Sequence, residues 1–305
     1  MRCCDGTALG HSWPLIIHAP RAHSPLVVVI GDIAFDYTIE VNREYSLDEK
    51  VTVTNSLRAV GGTGANSASQ VVALGGRSEL VSAIGDDPTG VWLLQKAQNA
   101  GVGVGSVRQS IGPSTTATIV ISGTERTVYV DLGVGGEVSI TDWDLLESAD
   151  LIYVSYAPQV VKDVVARGLG SRLVVGLEQW MVSEELLEAC KKSLLVVTNE
   201  AGANALDIST QPVIAVTRGA LGVELRKFGA VVDFVPAVGV DALDTTGAGD
   251  SFAGALCYSL ATGETTESAL LFAAAAASLS TLSRGAQSGL PSLDEVNTVL
   301  AAKHE

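Results

Sequence analysis

The segment DTTGAGDSFAGAL, Asp244–Leu256, carries the strongest local signal in this 305-residue chain. Its Gly247-Ala248-Gly249 turn runs straight into a helix start. Three main-chain N–H groups with no bulky side chain in the way can face one point, and the helix dipole adds positive potential there. That combination is an anion hole. Asp250 falls in the first turn of the same helix. A carboxylate beside a statically bound phosphate is repelled by it, but an alcohol between the two changes the chemistry. Asp250 then takes the hydroxyl proton, and the N–H groups stabilise charge on a transferred phosphoryl group. The plainer alternative is a glycine turn with Asp250 as a helix cap.

Upstream of this segment the chain is a succession of apolar, β-branched runs. Leu26–Ile30 (LVVVI) ends at Gly31 and reads as a buried first strand. Similar runs recur at Leu80–Ile84, Ala117–Ile121, Leu151–Val154, Leu173–Leu177, Leu194–Thr198 and Val213–Thr217. Helical patterns lie between many of them: Gly64–Leu74, Pro88–Ala100 with proline in its first turn, and Ser183–Lys191 behind a good N-cap. Strand, helix, strand at this spacing predicts βαβ units and a mostly parallel sheet. Asp36–Val60, with Val51 and Val53 alternating, and Thr124–Val138 break the rhythm and read as short strands outside the main sheet. The last third is helical, over Asp250–Thr262, the Ala-rich Thr265–Leu282, and Ser292–Lys303 behind the cap Ser292. The expected organisation is a loose extension over residues 1–24 and one domain over 25–305. Its lid strands are expected at about 36–60 and 115–135.

Composition narrows the function classes. Hydrophobic residues make up 47% of the chain and aromatics 5%, so the apolar content is largely that of a buried sheet under closely packed helices. A formal net charge of −15 repels phosphate backbones and anionic lipid, which argues against nucleic acid and membrane surfaces as partners. No apolar run approaches the ~20 residues that span a bilayer. The four cysteines form no CxxC pair, and reduced thiols in the cytoplasm are the simplest reading. All four histidines, His11, His18, His23 and His304, lie near the ends. A Ser-His-Asp, Cys-His or His-built zinc site is therefore not expected. GxxxxGK[ST], HRD, DFG and a GxGxxG after the first strand are all missing.

A second segment complements the first. In Gly61–Gly76, GGTGANSASQVVALGG, the glycines let a ligand approach the backbone closely. Asn66 follows near a helix start, where its amide can donate to and accept from a hydroxyl. A glycine hinge before an ordinary helix is the competing reading of this segment alone. Together, GGTGAN with its Ala-rich helix and DTTGAGDSFAGAL resemble, in order and separation, the two signatures of the ribokinase-like (PfkB) carbohydrate kinase family. The resemblance covers about residues 26–300. It implies a three-layer α/β/α fold with a mostly parallel central sheet and a small β lid, and transfer of the ATP γ-phosphate to a hydroxymethyl group. Asp250 would be the base, with Gly247, Ala248 and Gly249 as the anion cradle. Asp36, Gly62 and Asn66 would contact the sugar. Asn199, Thr217, Gly219 and Ala274 would lie at the nucleotide. ATP and Mg²⁺ are the expected cofactors. Asp244, with the loop from Ser283, is the expected site of a monovalent cation, K⁺. A homodimer through the lid is the expected assembly.

The chain also departs from that family. Many members carry Asn-x-x-Glu near the Mg²⁺ and phosphates; here Asn199 is followed by Glu200, Ala201 and Gly202, so glycine stands where the Glu is expected. Tyr156 lies nearest to where ribokinases proper keep a carboxylate facing the sugar. Thr63 stands where a lysine is common, and the missing cation argues for an unphosphorylated substrate. An unphosphorylated sugar or polyol leads, and a nucleoside, favoured by aromatic side chains such as Tyr129 or Tyr156 near the pocket, follows. A non-catalytic sugar- or nucleotide-binding regulator is the rival from another class.

Overall fold

The computed structural model describes residues 24–46, 48–123, 125–205 and 208–302. The expected N-terminal extension falls almost wholly outside them. In chain order the strands are β1 (Leu26–Ile30), β2 (Ala34–Val41), β3 (Asn55–Gly61), β4 (Arg77–Gly85), β5 (Val107–Ser110), β6 (Thr116–Ser122), β7 (Glu125–Asp131), β8 (Leu151–Val154), β9 (Leu173–Leu177), β10 (Leu195–Asn199), β11 (Ile214–Thr217), β12 (Gly222–Lys227) and β13 (Ala230–Pro236). The helices are α1 (Thr63–Ala73), α2 (Pro88–Asn99), α3 (Trp143–Ser148), α4 (Pro158–Ala166), α5 (Glu184–Cys190), α6 (Glu200–Ala205), α7 (Ala248–Ala261), α8 (Thr266–Ser280) and α9 (Leu293–Ala302).

Nine strands form one sheet in the order β13-β12-β11-β10-β9-β8-β1-β4-β5. Pairing is parallel from β5 to β11, and the β12–β13 hairpin adds an antiparallel edge. The central strands are buried on both faces, so each reads as an unbroken apolar run. The period of two decides which layer each side chain joins. Val27 and Val29 of β1 pack with α1, α2, α7, α8 and α9, whereas Val28 and Ile30 pack with α3, α4, α5 and α6. The result is the expected three-layer α/β/α arrangement.

A separate four-stranded sheet has the order β3-β2-β6-β7. The strands read in Asp36–Val60 are β2 and β3, but Val51 and Val53 lie in the connection between them. That connection closes where the Thr54 N–H and hydroxyl both donate to Glu40 O, at 2.8 and 2.9 Å. The strand read over Thr124–Val138 stops at Asp131. The glycine-rich Gly133–Glu137 then forms a 3₁₀ turn, pinned by Val134 N–H on Pro113 O at 3.0 Å. Ala117–Ile121 belongs to this small sheet, not the large one. Ser292 forms a capping box with Glu295 at the start of α9: each side chain takes the other's backbone N–H. Among the described residues, no helix is long and apolar enough to cross a membrane.

Candidate active site

The start of α7 is built by a left-handed residue. Gly247 caps the helix at φ 77°, and a Cβ there would fall 2.7 Å from the Ala286 Cβ, so only glycine fits. Ser251 N–H donates to Gly247 O at 2.8 Å. Ala248 N–H, expected to face an anion, instead donates to Thr245 O at 3.2 Å because the turn closes on itself. The N–H groups of Gly247, Gly249 and Asp250 meet no acceptor among the described residues. They are the free donors that every helix N-terminus leaves. Asp244 ties this turn to the next loop, its two carboxylate oxygens accepting Thr246 N–H at 2.9 Å and Gly285 N–H at 2.8 Å. Burial raises its pKa, but these bonds prevail and hold the group below the usual carboxylate range. Among the described residues, no three His, Cys, Asp or Glu side chains gather into a metal cage.

Helix α1 brings the second segment against α7. A Cβ on Gly254 would lie 2.5 Å from Ser67 O, so the two helices touch backbone to backbone. Gly62, at φ 90°, and Gly64 let the chain cross Asp32 and Gly31 at similarly short range. At this contact Asn66 Nδ2 donates to Asp250 Oδ2 at 2.8 Å, and Ser67 Oγ donates to Asp250 O at 3.2 Å. Asn66 Oδ1 in turn accepts Gln287 Nε2 at 2.9 Å. The amide expected to meet a sugar hydroxyl is thus already engaged on both sides and orients Asp250. Asp36, on β2, is half-buried over Gly61, where a Cβ would touch its carboxyl group. Burial, with the charge of Asp32, pushes its pKa up to about 6, against the pull of Arg126. Asp32 is itself pushed up by burial, against hydrogen bonds from backbone N–H groups.

Two hollows meet at the start of α7. The larger, about 560 Å³, is lined among others by Asn199, Thr217, Gly219, Ala248, Gly249 and Ala274. All four residues expected at the nucleotide are thereby brought together. The smaller, about 130 Å³, is lined by Thr63, Tyr156, Glu178, Asn199, Gly249 and Asp250, among others. Asn199, Thr217 and Gly249 border both. A carboxylate therefore stands at one end of a nucleotide-sized cleft, with helix N–H groups between. Burial pushes the Asp250 pKa up to about 7; the Asn66 bond opposes this, and Asp32, Asp36 and Glu178 reinforce it.

Glu178 and Ser155 escaped sequence reading, as did the backbone conformation and ring contact of Tyr156, a residue expected near the pocket. Glu178 ends up beside Asn199, whose Nδ2 donates to Glu178 Oε2 at 3.4 Å. Tyr156 sits at φ 53°, a strained region for a bulky residue, with its ring edge-on to Trp180 at 5.1 Å. The Ser155 hydroxyl is buried at the smaller hollow without a partner among the described residues.

Known proteins share this arrangement of elements. The family model for pfkB family carbohydrate kinases matches residues 24–170 and 181–293. The ribokinase of Bacillus subtilis is 28% identical over 291 residues, covering 90% of this chain and 99% of the relative. The aminoimidazole riboside kinase of Salmonella typhimurium is 27% identical over 317 residues, covering 90% of this chain and 95% of the relative. The structure of Arabidopsis thaliana ribokinase complexed with ribose and ATP matches with a TM-score of 0.79 at 23% identity, over 91% of this chain and 98% of that one.

Proposed function

This chain belongs to the pfkB family of carbohydrate kinases, and we propose that it transfers the ATP γ-phosphate to a hydroxymethyl group of an unphosphorylated sugar, with Asp250 as the base. The observation that carries this reading is the position of Asp250. Its carboxyl group is fixed by Asn66 at 2.8 Å and borders the hollow where unpaired N–H groups of α7 meet a cleft of nucleotide size. An acceptor hydroxyl between Asp36 and Asp250 gives up its proton to Asp250 as its oxygen attacks the γ-phosphorus, and the bond from that phosphorus to the β,γ-bridging oxygen breaks to release ADP. Negative charge on the transferred group falls toward the N–H groups of Gly249 and Asp250 and the positive end of the helix. Gly62 and Gly64 let the start of α1 lie against the backbone of Gly31 and Asp32, which sets Asn66 beside Asp250. Asn66 acts as a positioning residue. Glu178, oriented by the Asn199 amide, would supply a carboxylate oxygen to Mg²⁺ bound with ATP, and that ion would neutralise phosphate charge. Asp244 braces the cradle by joining two loops, and K⁺ binding at those loops is part of the same proposal.

An ionised Asp250 is required, so kcat/KM rises with pH and levels off above a midpoint near 7, the pKa to which burial pushes the group. Asn66→Ala removes a donor that favours the charged form, so its midpoint lies at higher pH. A pH–rate profile of both forms checks this, and coincident midpoints would contradict the role of Asn66.

One observation favours a nucleoside as acceptor: Tyr156 borders the hollow of Asp250, and its partner Trp180 is 60% exposed. A large exposed aromatic ring beside a substrate hollow offers a face for a planar base. ADP release from MgATP with a panel of pentoses, hexoses, sugar acids and nucleosides separates the readings. If a nucleoside is the substrate, Trp180→Ala lowers its kcat/KM on the order of ten-fold, since base stacking is worth about 1–3 kcal/mol. Free sugars would be unaffected. ATP binding with no turnover across the panel would instead favour a non-catalytic regulator.

A further inference from the structure

Position 202, where relatives with Asn-x-x-Glu carry the acidic side chain, has no room for one. A Cβ on Gly202 would sit 2.0 Å from Thr198 Oγ1. Glu200 does not take its place, because its carboxylate is held by the Arg218 guanidinium, with Nε donating at 2.9 Å. Another carboxylate lies beside Asn199. Glu178 follows directly on β9, which lies beside β10, and it lines the hollow with Asp250 and Asn199. Asn199 is locked in register for it, since Asn199 Oδ1 accepts Gly202 N–H at 2.8 Å while its Nδ2 turns to Glu178.

Glu178 is half-buried, yet among the described residues no Lys or Arg pairs with it. The one hydrogen bond its carboxylate makes among the described residues is long, at 3.4 Å. Carboxylates withdrawn from water without a counter-charge are costly, and an arriving cation relieves the cost. Residues 171–180, which include Glu178, lie between the two stretches that the family model matches.

We propose that Glu178, oriented by the Asn199 amide, holds the hydrated divalent cation that accompanies the nucleotide, in place of the carboxylate missing at position 202. The proposal rests on the kinase reading above, and its test is separable from that reading. The full chain is saturated with the β,γ-imido analogue of ATP and titrated with Mn²⁺, with free Mn²⁺ followed by electron paramagnetic resonance. Glu178→Gln is expected to weaken Mn²⁺ binding to the complex by about ten-fold or more, the range for loss of a supporting metal contact. Glu178→Asp keeps part of the affinity, and Glu200→Gln keeps all of it. Affinity for the analogue in EDTA stays at the wild-type value in all three, which also reports an intact fold. Equal Mn²⁺ affinity in wild type and Glu178→Gln overturns this assignment alone, as does an equal loss of the metal-free nucleotide. A wild-type chain that binds no nucleotide overturns the kinase reading itself.

Discussion

Asp250→Asn is expected to lower kcat by about 10²- to 10⁴-fold, the usual contribution of a positioned general base, while ATP affinity holds. The substitution keeps shape and keeps the Asn66 bond, because the new amide oxygen can accept Asn66 Nδ2. Ser67 is unaffected, since its partner is the backbone oxygen of residue 250. Stability should not fall. The folded pKa of Asp250, about 7, lies above its ordinary value of 3.8. The folded state therefore binds more protons than the unfolded chain between those values. The group's contribution to stability is thus highest below the lower value and is lost as pH rises through the upper one. The asparagine variant lacks that decline, so its Tm at pH 8 equals or exceeds that of the wild type. Lost turnover with a preserved Tm marks a chemical role. Normal turnover would mean the base is another group.

Gly254→Ala should cost both stability and rate. The added Cβ would press on Ser67 O at 2.5 Å and on the Gln70 Cβ at 2.7 Å. Alanine is the better helix former by about 1 kcal/mol, but overpacking a close contact costs about 1–3 kcal/mol, and backbone atoms on α1 cannot rotate away. The helices part, and Asn66 moves off Asp250. A lower Tm and a lower kcat at unchanged ATP affinity are expected, read by calorimetry and steady-state kinetics. A Tm above wild type would show that the helices have slack. Unchanged kcat with a lower Tm would detach the helix contact from catalysis.

The parts of the fold that could be read from the chain are those where local chemistry and tertiary position agree. LVVVI, LIYV and LVVGL are apolar throughout because their strands are covered on both faces, and Gly247 marks its turn because only a left-handed residue starts α7 there. The β12–β13 hairpin was harder to see. Its turn is Phe228-Gly229, with φ of 49° and 81°, and phenylalanine is an uncommon choice where Asn or Asp usually stands. The short helices α3 and α6 offer too few turns for a period to emerge. The site divides in the same way. Glycine turns and Asp250 are local signals. The bond from Asn66 to Asp250 joins residues 184 apart in sequence. The meeting of Ser155, Glu178 and Asn199 depends on β8, β9 and β10 lying side by side, so that their C-terminal ends share one crevice. Nothing around any one of those residues announces the other two.

The proposed chemistry needs an acceptor hydroxyl held between the Asp250 carboxylate and the N-terminus of α7. A crystal structure of the chain with ADP, aluminium fluoride and the substrate identified in the panel tests it most directly. The expected result is an acceptor oxygen about 2.6–3.2 Å from an Asp250 carboxyl oxygen, with the fluoride ligands directed at the N–H groups of Gly249 and Asp250. An acceptor oxygen bonded to a different side chain, with Asp250 still turned only to Asn66, would contradict it.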